Sequence, residues 1–303
     1  MRIGAHVKAG KGLISALEQG AAIGAEVIQI HTQSPRMWRA SQHAPEVMLA
    51  YRDAVSRHPT VTATFCHATY LINLATPDRE LTRKSRASLV ANLSTAQAIG
   101  ADGLVLHIGS HRGTGFESAL TRVAEALLEA LERVQVTLPE TLDDSEPSCP
   151  ILLENTAGAG DTIGRSFDEL AQVIEAAGAD ARLGVCLDTQ HLWASGVSFV
   201  TMEESAALLE LIAGTVGLGR LRCLHLNDSK VDFGANRDRH ENIGDGTIGA
   251  DALAALLGHP SLQGLPAILE VPGDGSGPRA EDIETARKVW HAGLALWHQN
   301  PTP

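Results

Sequence analysis

Residues Leu221–Gly249 read LRCLHLNDSKVDFGANRDRHENIGDGTIG. The stretch opens with an apolar run, Leu221 to Leu226, that carries His225, and continues into a glycine-punctuated loop holding Asp228, Asp232, Asp238 and His240. An ordinary surface loop has little use for so many potential ligands. Asp238 and His240 stand two residues apart, so on extended backbone they point the same way. With His225 they offer the mixed nitrogen and oxygen donors that suit borderline ions such as zinc. Ala250 to Leu257 then has helical period, which makes the unit a strand, a ligand-bearing loop and a helix.

The unit recurs along the chain. Short apolar runs lie at Arg2 to His6, Glu26 to Thr32, Val61 to His67, Gly103 to His107, Ile151 to Glu154, Gly184 to Asp188, Leu221 to Asn227 and Ala267 to Val271. Stretches of helical period separate or follow them: Leu13 to Ile23, Pro45 to Arg57, Arg79 to Ile99, Glu117 to Val136, Ser166 to Ala177, Met202 to Val216, Ala250 to Leu257 and Arg279 to Trp297. Near-continuous apolar strands alternating with helices call for a parallel sheet buried on both faces. Eight of each in 303 residues predict an α/β fold, a single (β/α)8 barrel over residues 1–303, rather than an open doubly wound sheet. The one break in composition, the acidic, proline-containing stretch 138–150 (LPETLDDSEPSCP), precedes a strand and is expected as a solvated loop on the face opposite the site.

Composition narrows the function. With 44% hydrophobic and 20% charged residues the chain reads as globular, and a net charge of −12 argues against broad electrostatic binding of nucleic acid. No apolar leader and no window of membrane-span length is present, so a cytoplasmic protein with no membrane partner, expected as a monomer, is the reading. The four cysteines form no CxxC pair and are expected as buried thiols.

In a barrel of this kind active sites gather at the C-terminal ends of the strands. The residues ending the apolar runs are His6, His67, His107, Glu154, Asp188, His225 and Glu270, with His191 three beyond Asp188 and Asp238 and His240 in the seventh loop. A lone strand-end histidine is more often a hydrogen-bonded core residue than a ligand; ten such residues on one rim reverse those odds. The triplet Tyr70, Leu71 and Ile72 reads either as loop packing or as an apolar wedge for a base stack. Arg36 and Trp38 read as an ion pair with a core aromatic, or as contacts to phosphate and base. The stretch Gly158 to Gly164, GAGDTIG, matches neither the dinucleotide fingerprint nor a P-loop in full.

The stretches IGAHV, HATYLINLA, LHIGSH, ILLENTAG, GVCLDTQH, HLNDSK, RDRHENIGDGTIG and ILEVPG together resemble endonuclease IV, the zinc-dependent apurinic/apyrimidinic endonuclease family, from the first residues to Glu270. The resemblance implies a site at the C-terminal ends of the strands holding three Zn2+, one position of which admits Mn2+ or Fe2+. His67 and His107 would bind the first ion with Glu154, which bridges to the second; Asp188, His225 and Glu270 would complete the second; His191, Asp238 and His240 would hold the third. Glu154 and Glu270 are thereby the catalytic carboxylates, and His6 stands behind the ligands rather than among them. Arg36, Tyr70 and Leu71 match positions that enter DNA at the lesion.

The implied activity is that of a phosphodiester hydrolase of the phage-T4-induced deoxyribonuclease IV type, acting in DNA repair by base excision. It would cut duplex DNA 5′ to abasic sites, leave a 3′-hydroxyl and a 5′-deoxyribose phosphate, and trim blocked 3′ ends as a phosphodiesterase. Three divalent cations outweigh the four carboxylates and leave the site locally positive. Coordination also lowers the pKa of water toward roughly 7. Two positions depart from the family: His31 stands where an aromatic is common, and Glu241 follows His240 where another histidine is common, adding negative charge near the third ion. A sugar isomerase or epimerase on a related barrel would need neither the Asp238 and His240 pair nor the Tyr70 and Leu71 wedge. A lesion binder without catalysis would not require the full set of nine ligands.

Overall fold

The computed structural model describes residues 1–134 and 148–300, so most of the acidic 138–150 stretch lies outside the described residues. The elements run β1 (Arg2–His6), α1 (Leu13–Ala22), β2 (Val27–His31), α2 (Pro45–Ser56), β3 (Ala63–His67), α3 (Arg79–Ala98), β4 (Gly103–Leu106), α4 (Phe116–Arg133) and β5 (Ile151–Glu154). They continue α5 (Phe167–Ala176), β6 (Leu183–Asp188), α6 (Thr189–Ser195), α7 (Met202–Gly214), β7 (Leu221–His225), β8 (Asp228–Ser229), β9 (His240–Glu241), α8 (Ala250–Leu257), β10 (Pro266–Leu269) and α9 (Ala280–Gln299). All but β8 and β9 of the strands close into a parallel barrel in the order β1-β10-β7-β6-β5-β4-β3-β2. The expected (β/α)8 barrel is therefore the fold. No helix among the described residues is long and apolar enough to cross a membrane.

The strand period of two explains why the rim is polar and the lumen is not. Val27, Ala63, Phe65, Val105, Leu152, Cys186, Cys223 and Ile268 form one buried cluster inside the barrel. Two residues after a member of that cluster, on the same face of each strand, come Gln29, His67, His107, Glu154, Asp188, His225 and Glu270. An apolar plug thus floors a ring of chemical side chains. Gly103 and Gly184 make room for Leu152 in that plug: a Cβ on either would lie 2.6 or 2.8 Å from a methyl of Leu152. A larger apolar layer, which includes Leu89, Leu104, Leu170 and Leu253, packs strands against helices. All four cysteines are free and buried.

Two local features go beyond the expected alternation. Asp188, the last residue of β6, also caps α6, its carboxylate accepting from the His191 backbone N–H at 2.7 Å. DTQH is thus a strand end turning directly into a seven-residue helix, too short to declare itself by period. The long seventh loop is pinched by an antiparallel pair, Asp228 opposite Glu241 and Ser229 opposite His240.

Candidate metal centre

Strand ends β3 and β4 present His67 and His107 to one oxygen of Glu154, with Nε2 atoms 3.4 and 3.3 Å from Oε2. The other oxygen, Oε1, lies 2.8 Å from His225 Nδ1, which is also 3.2 Å from Glu270 Oε2 and 3.9 Å from Asp188 Oδ2. Glu154, fully buried, therefore stands between two donor sets. A third set lies outward: Asp238 places its oxygens 3.4 Å from His191 Nε2 and 3.1 Å from His240 Nε2, and Asp188 Oδ2 is 3.8 Å from His240 Nε2. Three groups have ligand atoms within 4.8 Å of one another: His67, His107 and Glu154; Glu154, Asp188, His225 and Glu270; and Asp188, His191 and His240. The first two match the sets expected from the sequence. In the third Asp188 joins the two histidines, and Asp238 caps both imidazoles from the solvent side.

The residues fit a metal cluster on two further observations. Glu154 Oε2 and His240 Nε2 are buried and make no hydrogen bond, an expense a cation would remove. Four imidazoles each donate their remote N–H to an oxygen and turn the other nitrogen inward. His67 Nδ1 donates to the Ala68 carbonyl at 2.7 Å, His191 Nδ1 to the Asn155 carbonyl at 2.9 Å, His240 Nδ1 to the Glu270 carbonyl at 3.2 Å, and His225 Nε2 to Gln29 Oε1 at 2.9 Å. The carboxylates are held in the same way. Asn227 Nδ2 donates to Asp188 Oδ2 at 2.7 Å, and His6 Nδ1 donates to Glu270 Oε1 at 2.7 Å. His6 thus sits behind Glu270.

Burial opposes charge throughout the cluster, and the neighbours overcome it at most positions. At His225 burial works downward, yet the Glu270 and Glu154 carboxylates push its pKa up to about 10. At His240 burial is outweighed by the nearby Asp238 and Asp188 carboxylates, which raise it to about 9. Glu154 and Glu270 are held well below the usual carboxylate range: burial pulls upward, but the facing histidines prevail. At His107 burial wins and its pKa falls. Negative carboxylates and positive imidazoles balance here at the same atoms that a divalent cation would bridge.

The rim carries the DNA candidates. Tyr70 is 56% exposed and its ring lies 5.3 Å from those of His31 and His67. It lines two cavities, one of about 1110 Å³ bordered by His6, His31, Arg39 and Glu270, the other of about 520 Å³ bordered by Trp38, Leu71, His107 and Asp238. Arg36 is exposed, and the apolar triplet divides, with Leu71 half-buried beside Tyr70 and Ile72 in the core.

Several sequence readings change. Asp228, one of the potential ligands by residue type, is fully buried and accepts backbone N–H bonds from Ser229, Gly244, Gly246, Ile248 and Gly249. It ties the loop that presents Asp238 and His240 instead of facing the cluster. Glu241 turns away too, its carboxylate 3.8 Å from Lys230 Nζ, as strand alternation after His240 dictates. His31 is held neutral, burial and then the neighbouring His6 and His67 lowering it to about 2, and its ring packs against that of His6 at 4.5 Å, tilted by 55°. In GAGDTIG the backbone N–H of Gly164 already donates to Glu169 Oε2 at 2.8 Å, so that loop is closed by the protein itself. Missed altogether were the buried amides Gln29, Asn155 and Asn227. The only signal for Gln29 was its place between Val27 and His31 on one strand face.

A family model described as a xylose isomerase-like TIM barrel matches residues 17–292. Proteins named "Probable endonuclease 4" from Thermosipho africanus and Methanoculleus marisnigri are 34% and 37% identical, each alignment covering 95% of this chain and 98% or 97% of the relative. The crystal structure of endonuclease IV from Thermus thermophilus superposes with a TM-score of 0.80 at 32% identity, over 98% of this chain and 100% of that one. A D-tagatose 3-epimerase-like protein, TM-score 0.68 at 15% identity, shares the fold alone. The barrel, the donor sets on its rim and these full-length relatives agree: the chain belongs to the endonuclease IV family.

Proposed function

We propose that this protein is a zinc-dependent DNA-repair endonuclease that hydrolyses the phosphodiester 5′ to abasic sites in duplex DNA, leaving a 3′-hydroxyl, and that it also trims blocked 3′ ends. The observation that carries the reading is the triple donor set sharing Glu154 and Asp188, with an exposed tyrosine standing over it. His67, His107, Glu154, Asp188, His191, His225, Asp238, His240 and Glu270 would hold three zinc ions. Bound zinc supplies Lewis acidity, making hydroxide available near neutral pH and offsetting phosphate charge.

The chain's own residues set the rest. Glu154, through its two oxygens, ties the His67 and His107 side of the site to the His225 side. Glu270 is steered by His6, so that Oε2 is the oxygen left facing His225. Tyr70 and Leu71 would fill the gap left by a missing base, and Arg36 would neutralise a flanking phosphate. A missing base also lowers the cost of extruding the lesion.

The test is a duplex oligonucleotide with one tetrahydrofuran abasic analogue, beside an undamaged control. The analogue cannot undergo β-elimination, so any cut is hydrolytic. Cleavage on its 5′ side with a 3′-hydroxyl end is expected. An uncut duplex, with protein shown to carry zinc, would overturn the reading.

A further inference from the structure

We infer that Gln29 is a positioning residue that fixes both the ring tautomer of His225 and the carboxylate orientation of Glu270, and so sets the affinity of the middle ion position. The inference rests on the metal reading above. Gln29 lies on β2, a strand that supplies none of the nine proposed ligands, and is fully buried. Its Oε1 is 2.9 Å from His225 Nε2, and its Nε2 is 2.7 Å from Glu270 Oε1. One amide therefore touches two residues of the same donor set, at the ends of the neighbouring strands β7 and β10.

The orientation of that amide follows from donor chemistry. Turned the other way, its oxygen would face the Glu270 carboxylate at 2.7 Å, acceptor against acceptor. With Nε2 on Glu270, Oε1 faces His225 and needs a hydrogen there. His225 then keeps its proton on Nε2, which leaves Nδ1, the nitrogen facing Glu154, Glu270 and Asp188, as the one a bound cation would take. His6 Nδ1, 2.7 Å from the same Glu270 oxygen, is a second donor to it, so its 3.0 Å approach to Gln29 Nε2 is a contact between two donors. Glu270 Oε1 thereby receives two hydrogens and Oε2 is the oxygen free for a cation.

The measurement is chelator competition on zinc-loaded, full-length protein, comparing wild type with Gln29→Met, which keeps the length but neither hydrogen bond, and Gln29→Glu. The Glu variant still accepts from His225 but sets a second carboxylate against Glu270. Both variants should hold one zinc about 10- to 100-fold more weakly, the usual effect of removing a residue behind a metal ligand. The other ions should stay near wild-type affinity; uniform weakening at every position would mark general destabilisation and overturn the inference. Wild-type affinities in the folded variants would also overturn it, whereas a wild-type protein that binds no zinc would overturn the metal reading and this inference with it. Should neither variant fold, ring-nitrogen NMR of the zinc-loaded wild type decides. A slowly exchanging Nε2–H on His225 is expected, and an Nδ1–H tautomer would contradict the assignment.

Discussion

Glu154 is the single side chain through which two of the donor sets communicate, and its replacement is the most direct test of the site. Glu154→Gln keeps the shape but replaces one oxygen with a donor, which faces imidazoles that must themselves be free to bind. We expect zinc occupancy to fall and cleavage of the abasic duplex to drop by more than about 100-fold, with circular dichroism unchanged; a near-native rate would refute the role. Tyr70 tests the rim instead. Because more than half of its surface is exposed, Tyr70→Ala should cost little stability and leave zinc content unchanged. It should weaken lesion-containing DNA by roughly the 1–3 kcal/mol of a lost aromatic stack, read by fluorescence anisotropy. Equal affinity would make Tyr70 loop packing. Six of the nine candidate ligands were legible because each breaks a predictable pattern, a charged or imidazole side chain ending an apolar run, whereas His191, Asp238 and His240 stand in the segments that follow. Gln29 and Asn227 were not, since a buried amide acts through partners that come from other strands. Asp228 was misread for a related reason: most of its partners are backbone N–H groups far along the chain, which no residue type announces.

At the scale of elements, the barrel strands and most helices could be read from period alone, and the departures occur where an element is short. Helix α6 and the β8–β9 pair are local consequences of Asp188 and Asp228 serving backbone groups. Asp228→Asn should weaken that fastening, because a neutral amide turns two donors toward N–H groups that had faced a carboxylate. We expect a loss of about 1.5–3 kcal/mol in urea unfolding, with zinc loss confined to the outer position near Asp238 and His240. Simultaneous loss of all zinc would tie Asp228 to the whole cluster. A second element-level case lies where α8 packs on α9. Helices α8 and α9 approach so closely that a Cβ on Gly293 would lie 2.2 Å from the Ala254 carbonyl oxygen, and one on Gly258 2.2 Å from the Gly293 carbonyl. Glycine to alanine inside an exposed helix usually gains about 1 kcal/mol. Here the obstacle is backbone, which cannot rotate aside, and overpacking costs about 1–3 kcal/mol. Gly293→Ala should therefore lower the urea midpoint; a raised midpoint would mean that the helices part without cost.

For the whole molecule, the open question from composition is how a chain with net charge −12 could hold a polyanion. Several carboxylates are engaged locally by cations. Glu129 pairs with Arg86 and Arg133, Asp282 with Arg279, and Glu80 with Lys84. Exposed arginines, by contrast, come from loops that follow strands: Arg36 after β2, Arg112 after β4, and Arg237 and Arg239 in the loop after β7. If these meet phosphates, binding must release counterions, and log affinity should fall linearly with log salt at a slope of about −0.9 per phosphate contacted. Between about 50 and 200 mM salt the abasic duplex should therefore weaken steeply, by powers of ten if several phosphates are engaged. Zinc removal should act differently. It would expose Glu154, Asp188, Asp238 and Glu270 to the scissile phosphate as uncompensated charge, lowering affinity at every salt concentration while the slope set by the outer arginines persists. Anisotropy titrations of loaded and chelated protein across the salt series separate the two contributions. A flat salt response would point to a small uncharged substrate, and a slope that vanished with the zinc would mean that the arginines on the rim do not touch DNA.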